Sequence, residues 1–527
     1  MKLDGTVYSL IFFACLYCTS CIHDDTAQNP LVEEYSHNEL LTTWRLLANE
    51  EVIYPLDMSN MPVLLGEERQ LFLDNYLIAE ANGVTREVQQ PKRHPMNPVL
   101  APPREKLNHI VVQHVLQFEQ PPRFRMWYWS YDGWQTLTTG QRIRFASSYA
   151  TSEDGIKWER PDLGLHQVDG VDGPNNIVVP YGIIQGVFYL PNEPDPEQRF
   201  KALVLVERKN PTVREGYYIH TSPDGIHWQG DLSRPVIQSL WQYSIPQNGV
   251  GDTSRFWWDS TREKFVGDVK FVIRPGTTRC RGIMESDDLV HWSRPTPTFF
   301  APDPRAEVYG HRGFPYQGMY VGMRWIFLPE YSVRHSTYVE LDCSRDGRVW
   351  TRVATGQAFM GFNPKHDTWD GTIMRPVSML EVGDELWIYY FAAPTERELE
   401  NPDYPPTGPT EWSVGLATLP RDRFVAMKVA NKQVGTLTTR PIHFSGKRLH
   451  VNAEIADGGT LSVAVLDTDG NPIPGLSASN CQTVIGDSLD SEVQWKNGEK
   501  LEPHSESGIR LQFHLHNAKL YSFWIDE

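Results

Sequence analysis

The sequence predicts an all-β chain: a five-bladed β-propeller followed by a small β-sandwich. Three observations carry the prediction. The motif Ser-x-Asp-Gly-x-x-Trp begins at Ser152, at Ser222 and at Ser344, and a copy with Leu289 in place of the glycine begins at Ser286, so that the starts lie 58 to 70 residues apart. Each copy follows an apolar strand pattern such as Arg125-Met126-Trp127-Tyr128-Trp129, and a degraded fifth copy runs from Gly415-Leu416-Ala417-Thr418 to Asp422 and Phe424. The composition, with 17 Trp, 22 Tyr and 39 each of Gly and Pro, favours strands and turns over long helices.

In chain order, residues 1–21 read as an export signal. Lys2 precedes an apolar stretch that ends in Cys18-Thr19-Ser20-Cys21. That ending resembles a bacterial lipobox, which implies cleavage before Cys21, acylation of its thiol and a lipid anchor at the cell envelope, in the outer membrane or periplasm. The apolar run falls short of the ~20 residues that span a bilayer. Residues 22–63 are polar and irregular, with one candidate helix over 31–52, and read as a tether and N-terminal segment.

The propeller is expected over 64–425. Asp-Gly makes a tight hairpin turn, in which Asp caps backbone N–H groups and Gly takes a positive φ; the Trp then packs beneath the turn. One repeat is therefore a sheet of three or four strands, and five such sheets close radially, which leaves only short protected edges. On this reading the motif Asp residues are structural. Residues 426–527 change texture, with strands near 449–455, 461–466, 509–515 and 520–525 and a hairpin turn at Asp469-Gly470, and read as the β-sandwich.

The charge excludes one class of partner. A net charge of −17 does not fit nucleic-acid binding, which needs clustered Lys and Arg to displace counterions. After the signal only Cys280, Cys343 and Cys481 remain, too scattered for a disulfide framework or a zinc site, and no metal or cofactor site is legible. His366-Asp367 reads as a turn.

Several segments carry a family resemblance: Leu71-Phe72-Leu73-Asp74, His94-Pro95-Met96-Asn97-Pro98-Val99-Leu100 at the mouth of the first blade, the repeated turns, Gly383-Asp384-Glu385-Leu386-Trp387-Ile388-Tyr389-Tyr390, and Leu520-Tyr521-Ser522-Phe523 near the end. With these the chain resembles the five-bladed propeller superfamily that includes glycoside hydrolase families 32 and 43. The resemblance implies a glycan substrate, a site in the central funnel where the innermost strands converge, and a sandwich that buttresses the propeller.

Glycoside hydrolysis needs two carboxyl groups across the scissile bond. Three acids stand just before inner strands: Asp252, Glu307 and Asp370. Glu307 is expected as general acid, Asp252 as base or nucleophile, and Asp370 as the group that orients the sugar or stabilises developing positive charge. Blade two offers only Gln185 at the matching place and blade one only His109, so the first-blade Asp of the known families is missing. The expected substrate-binding set is His109, Arg255, Tyr309, His311, Arg312 and Arg375. The Arg residues read either as partners of the acids or as a fork for the carboxylate or sulfate of an anionic sugar. Two other functions stay open: a carbohydrate-binding propeller without catalysis, and a lyase or dehydratase acting on a uronate.

Overall fold

The computed structural model describes residues 59–102, 109–136, 142–166, 175–206, 213–239, 250–251, 253–272, 279–299, 306–328, 336–361, 368–393, 412–429, 434–501 and 508–527; the side chains at 109, 131–136, 142–144, 271–272 and 279 are left out. The export signal, Cys21 and the candidate helix over 31–52 lie outside the described residues.

Five antiparallel sheets follow one another along the chain. Their innermost strands are His109–Gln117, Ile183–Tyr189, Arg255–Asp259, Glu307–Tyr316 and Ile373–Val382. Each of these strands contacts the next, and the fifth contacts the first, which makes a closed ring of five blades. Closure does not follow chain order. The fourth strand of blade five is Lys92–Arg93, which pairs with Ala417 and Thr418 some 300 residues on. The neighbouring chain belongs to the same blade: Asn97 Nδ2 donates to Leu416 O at 2.9 Å, and Leu100 pairs with Val414. The segment expected at the mouth of blade one therefore seals the outer edge of blade five, where it covers backbone groups that would otherwise form an open edge.

The repeated turn has one construction in four blades. Ser152 Oγ accepts the Gly155 N–H at 2.8 Å, and Asp154 Oδ1 accepts the N–H groups of Ile156 and Lys157 at 2.8 and 2.7 Å. The same bonds recur at Ser222, Ser286 and Ser344. Each turn also packs on the preceding blade. Tyr389 of blade five donates to Gly155 O at 2.8 Å, and Trp127 of blade one donates to Gly225 O at 2.8 Å. A Cβ at Gly155 would stand 2.7 Å from the Tyr389 hydroxyl, so φ of +72° and this close approach both call for glycine. The motif is thus a joint between blades as well as a turn within one.

The fifth copy has been turned to another use. Asp422, fully buried with φ of +67°, accepts hydrogen bonds from Tyr316 of blade four at 2.6 Å, Arg69 Nε at 2.8 Å and Ser522 at 2.8 Å. It ties the propeller to the C-terminal unit.

That unit is one eight-stranded sheet. Its two long strands, Arg448–Leu466 and Arg510–Asp526, pair along most of their length, with register breaks between Asn452 and Ala453 and between Ile455 and Thr460. The expected strands over 449–455 and 461–466 are thus two halves of one bent strand. Leu449, Val451, Leu461, Val463, Leu511, Phe513, Leu520 and Phe523 from both halves meet in one core, which gives the sheet its sandwich form.

The expected domain boundary at residue 64 is corrected. Gln70–Leu71, Ile78–Asn82 and Val84–Val88 pair within the C-terminal sheet, and Val63, Leu65, Phe72 and Leu77 lie in its core. The propeller therefore begins at Lys92. Short N-terminal strands carry no label for the edge that they join, and an edge with the right register was available at the far end of the chain. Arg345 of the blade-four turn, on Asp74 at 2.8 Å, docks this segment on the propeller.

Candidate functional site at the propeller axis

Four of the five innermost strands carry one residue more than their partner. The register shifts between Val112 and His114, Ile184 and Gly186, Val308 and Gly310, and Pro376 and Ser378. The bulged residues are Gln113, Gln185, Tyr309 and Val377. A bulge bends its strand and re-aims the side chains around it. In blade three Ser254 does similar work just before the strand, donating to Gly251 O at 3.0 Å.

Three guanidinium groups gather on these strands. Arg255 is 4% exposed; its Nη1 donates to Gln185 Oε1 and, at 3.0 Å, to Ser254 O, and its plane lies 5.5 Å from the centre of the Trp325 ring. Arg312, 6% exposed, donates from Nη1 to Phe256 O at 3.0 Å and lies 4.9 Å over Trp257. Arg375, 2% exposed, stacks 3.8 Å over Tyr309 with Trp412 at 5.4 Å. Burial first, and then the charge of Arg281, pushes the Arg255 guanidinium down from its ordinary pKa; burial and then Arg255 do the same to Arg312. Arg255, Tyr309, Arg312 and Arg375, all expected at the axis, thus meet as one electrostatically coupled group.

The carboxylate that couples to Arg255 and Arg312 is already committed. Asp268, fully buried, takes two nitrogens of Arg281 and the His311 N–H, while Arg281 Nη1 donates to Tyr309 O at 3.2 Å. This pair fastens blade three to blade four. Among the described residues Arg255 and Arg312 form no ion pair, and the Nε atom of each is buried without a hydrogen-bond partner.

Two of the expected residues have partners within the fold. His311 does not line the funnel. It packs between blades three and four, its ring 3.9 Å from Phe299 and 4.6 Å from Trp350. Burial, and then Arg324 and Arg281, hold its imidazole well below the ordinary value. Asp370 serves blade closure. Its carboxylate, 4% exposed, accepts from Arg93 of the closing strand at 2.6 Å, from Thr368 at 2.9 Å and from Tyr390 at 3.3 Å. A carboxylate before an inner strand is as well placed to anchor the neighbouring edge as to face the axis, and here Arg93 claims it. Glu307, partly exposed, opens the inner strand of blade four opposite Phe327. Asp252 and the side chain of His109 lie outside the described residues.

His114 and Gln113 escaped the sequence reading. His114 is 7% exposed, and burial followed by the charge of Arg312 pushes its imidazole down to about 3, so it is neutral. Gln113 donates to Val111 O at 3.3 Å, and its Oε1 is buried without a partner. A signal existed. A polar residue interrupting an apolar inner strand, as in Val112-Gln113-His114-Val115 and Ile184-Gln185-Gly186-Val187, marks the bulge. Among the described residues no group of three or more His, Cys, Asp or Glu side chains is arranged to hold a metal ion.

No protein-family model matches the chain, and no curated protein matches it. Solved structures do. One described as a glycoside hydrolase aligns with a TM-score of 0.43 and 14% identity over 63% of this chain and 92% of that one. An N-acetylgalactosamine deacetylase from F. plautii, in complex with blood group B trisaccharide, gives 0.41 and 15% over 65% and 96%. A thermostable family-43 glycoside hydrolase gives 0.41 and 13% over 65% and 97%. At such distances the likeness assigns this chain neither a substrate nor a reacting residue.

Proposed function

We propose that the chain is a glycoside hydrolase that takes the end of a glycan into the propeller axis. One observation supports the reading: register breaks set Gln113, Gln185 and Tyr309 out of the ladder on three inner strands, Arg255 donates to Gln185, and Arg375 stacks on Tyr309. Polar groups beside the rings of Tyr309 and Trp412 suit a sugar, whose hydroxyls need hydrogen-bond partners and whose C–H faces pack on aromatic rings. Glu307, two residues before Tyr309, is the general acid in this reading. It protonates the departing glycosidic oxygen, while Asp252 attacks the anomeric carbon or deprotonates the water that does so. An export signal and a lipid on Cys21 would hold such an enzyme at the cell envelope.

The test is a product screen of the protein with Cys21→Ser, on plant and algal polysaccharides and their oligosaccharides, with Glu307→Gln alongside. The expected outcome is sugar release by the first and a rate lower by roughly a hundredfold or more in the second. Equal rates would remove Glu307 from the mechanism. A second reading, glycan binding without turnover, draws support from Asp370: with that carboxylate held by Arg93, two candidate acids remain rather than three. Binding with no product across the panel would favour it.

A further inference from the structure

We infer that Asp268 and Arg281 of blade three are a positioning pair for Glu307: they hold the bulge in the inner strand of blade four, and the bulge sets where that carboxyl stands. The inference rests on the reading of Glu307 as the general acid at the axis and names what keeps it in place.

The bulge draws support from outside its own sheet. Glu307 and Val308 stand opposite Phe327 and Ile326, Gly310 stands opposite Trp325, and Tyr309 has no place in that ladder. A bulged residue disrupts the ladder around it, and backbone groups in a dry interior then need other partners. Blade three supplies them. Arg281 Nη1 donates to Tyr309 O at 3.2 Å, and Asp268 Oδ2 accepts the His311 N–H at 3.1 Å, so the two members of one ion pair grip the strand on either side of Gly310. Both side chains are fully buried, and Nε and Nη2 of Arg281 both donate to Asp268, which leaves the pair little freedom to turn.

Blade four is shaped to the same grip. A Cβ at Gly310 would stand 2.3 Å from Cε3 of Trp325, so only glycine lets the strand approach that ring. Trp325 is itself fully buried, with Nε1 donating to Pro376 O of blade five at 3.1 Å and the Arg255 guanidinium 5.5 Å from its centre. The Tyr309 ring is covered in turn by Arg375 at 3.8 Å.

The consequence for Glu307 follows from strand geometry. Were the ladder to close over the bulge with Gly310 kept opposite Trp325, Tyr309 would take the place opposite Ile326 and Glu307 would slide by one residue. One residue is about 3.3 Å and turns a side chain to the opposite face of the sheet. A general acid tolerates far less, because a misplacement of about 1 Å can cost roughly a hundredfold in rate.

Asp268→Leu combined with Arg281→Met removes both charges together, so that no buried ion is left alone. Hydrogen exchange read by mass spectrometry should show faster exchange over residues 307–316 of blade four and unchanged exchange over 183–189 of blade two. On a polysaccharide that the Cys21→Ser protein cleaves, turnover should fall by roughly a hundredfold. Adding Glu307→Gln should then cost little more, because residues that act as one unit lose their effect once. Losses that multiply, or exchange that rises alike in both blades, would show a brace between blades and overturn the assignment. If the parent protein releases no sugar from any polysaccharide, the hydrolytic reading fails, and the exchange comparison alone decides whether the pair holds the strand. Should the double variant not fold, Arg281→Lys carries the same comparisons, since it keeps a cation on Asp268 but lacks the further nitrogen that reaches Tyr309 O.

Discussion

Asp370 and Arg93 illustrate how a residue that fits a catalytic pattern is claimed by architecture. The ion pair at 2.6 Å is half in solvent on the Arg93 side, at 43% exposure, so screening reduces its worth. The bonds from Thr368 and Tyr390 are shielded. Asp370→Asn should therefore lower stability by about 1–2 kcal/mol in urea unfolding while glycan turnover persists. Loss of turnover with an unchanged urea midpoint would return Asp370 to the reaction. At this scale the residue types at the axis were legible because Arg255, Tyr309, Arg312 and Arg375 stand near the starts of inner strands. What hid the placement of His311 is that its partners, Phe299 and Trp350, stand on other strands, and sequence does not announce which strands meet.

The repeated turn shows how one element can carry two roles and how a departure from it is compensated. Leu289 occupies the glycine position with φ of +67°, a conformation that costs a side-chain-bearing residue roughly 1–2 kcal/mol. Its side chain is 1% exposed, in the core that also holds Phe188, Phe256 and Phe265. Burying a leucine outweighs that strain, since emptying such a site costs about 2–5 kcal/mol. Leu289→Gly, which restores the repeat, should accordingly lower stability by about 1–3 kcal/mol in chemical denaturation; a gain would show that the core around it closes over the gap. Asp422 makes the complementary point. It accepts from Arg69, Tyr316 and Ser522 on three separate parts of the chain.

Across the whole molecule, three buried imidazoles make stability depend on pH. His114 is pushed down to about 3 by burial and then Arg312, His220 to about 4 by burial, and His311 well below its ordinary value by burial and then Arg324. All three stay neutral in the fold and take up a proton when unfolded below about 6.5. Their contribution is therefore complete above that pH and is lost as pH falls toward the folded-state values, with a slope of about 1.4 kcal/mol per pH unit for each. Urea midpoints should fall as pH drops from 6.5 toward 4, and His220→Gln should make that fall shallower. A slope that His220→Gln leaves unchanged would mean that His220 is charged inside the fold.

Sequence alone determined the number of blades, because five sheets of similar length need a turn at similar intervals and the turn has a strict local chemistry of Ser, Asp, Gly and Trp. It likewise located the long strands near the C-terminus, since alternation along a strand is a local property. Tertiary structure alone decided which edges meet. Lys92–Arg93 completes blade five and residues 70–88 join the last sheet because ring closure and edge pairing join segments hundreds of residues apart. It decided the site for the same reason. The axis collects one or two residues from each inner strand, and the bulges that choose them, like the partners that claim Asp370 and His311, are set by neighbouring blades.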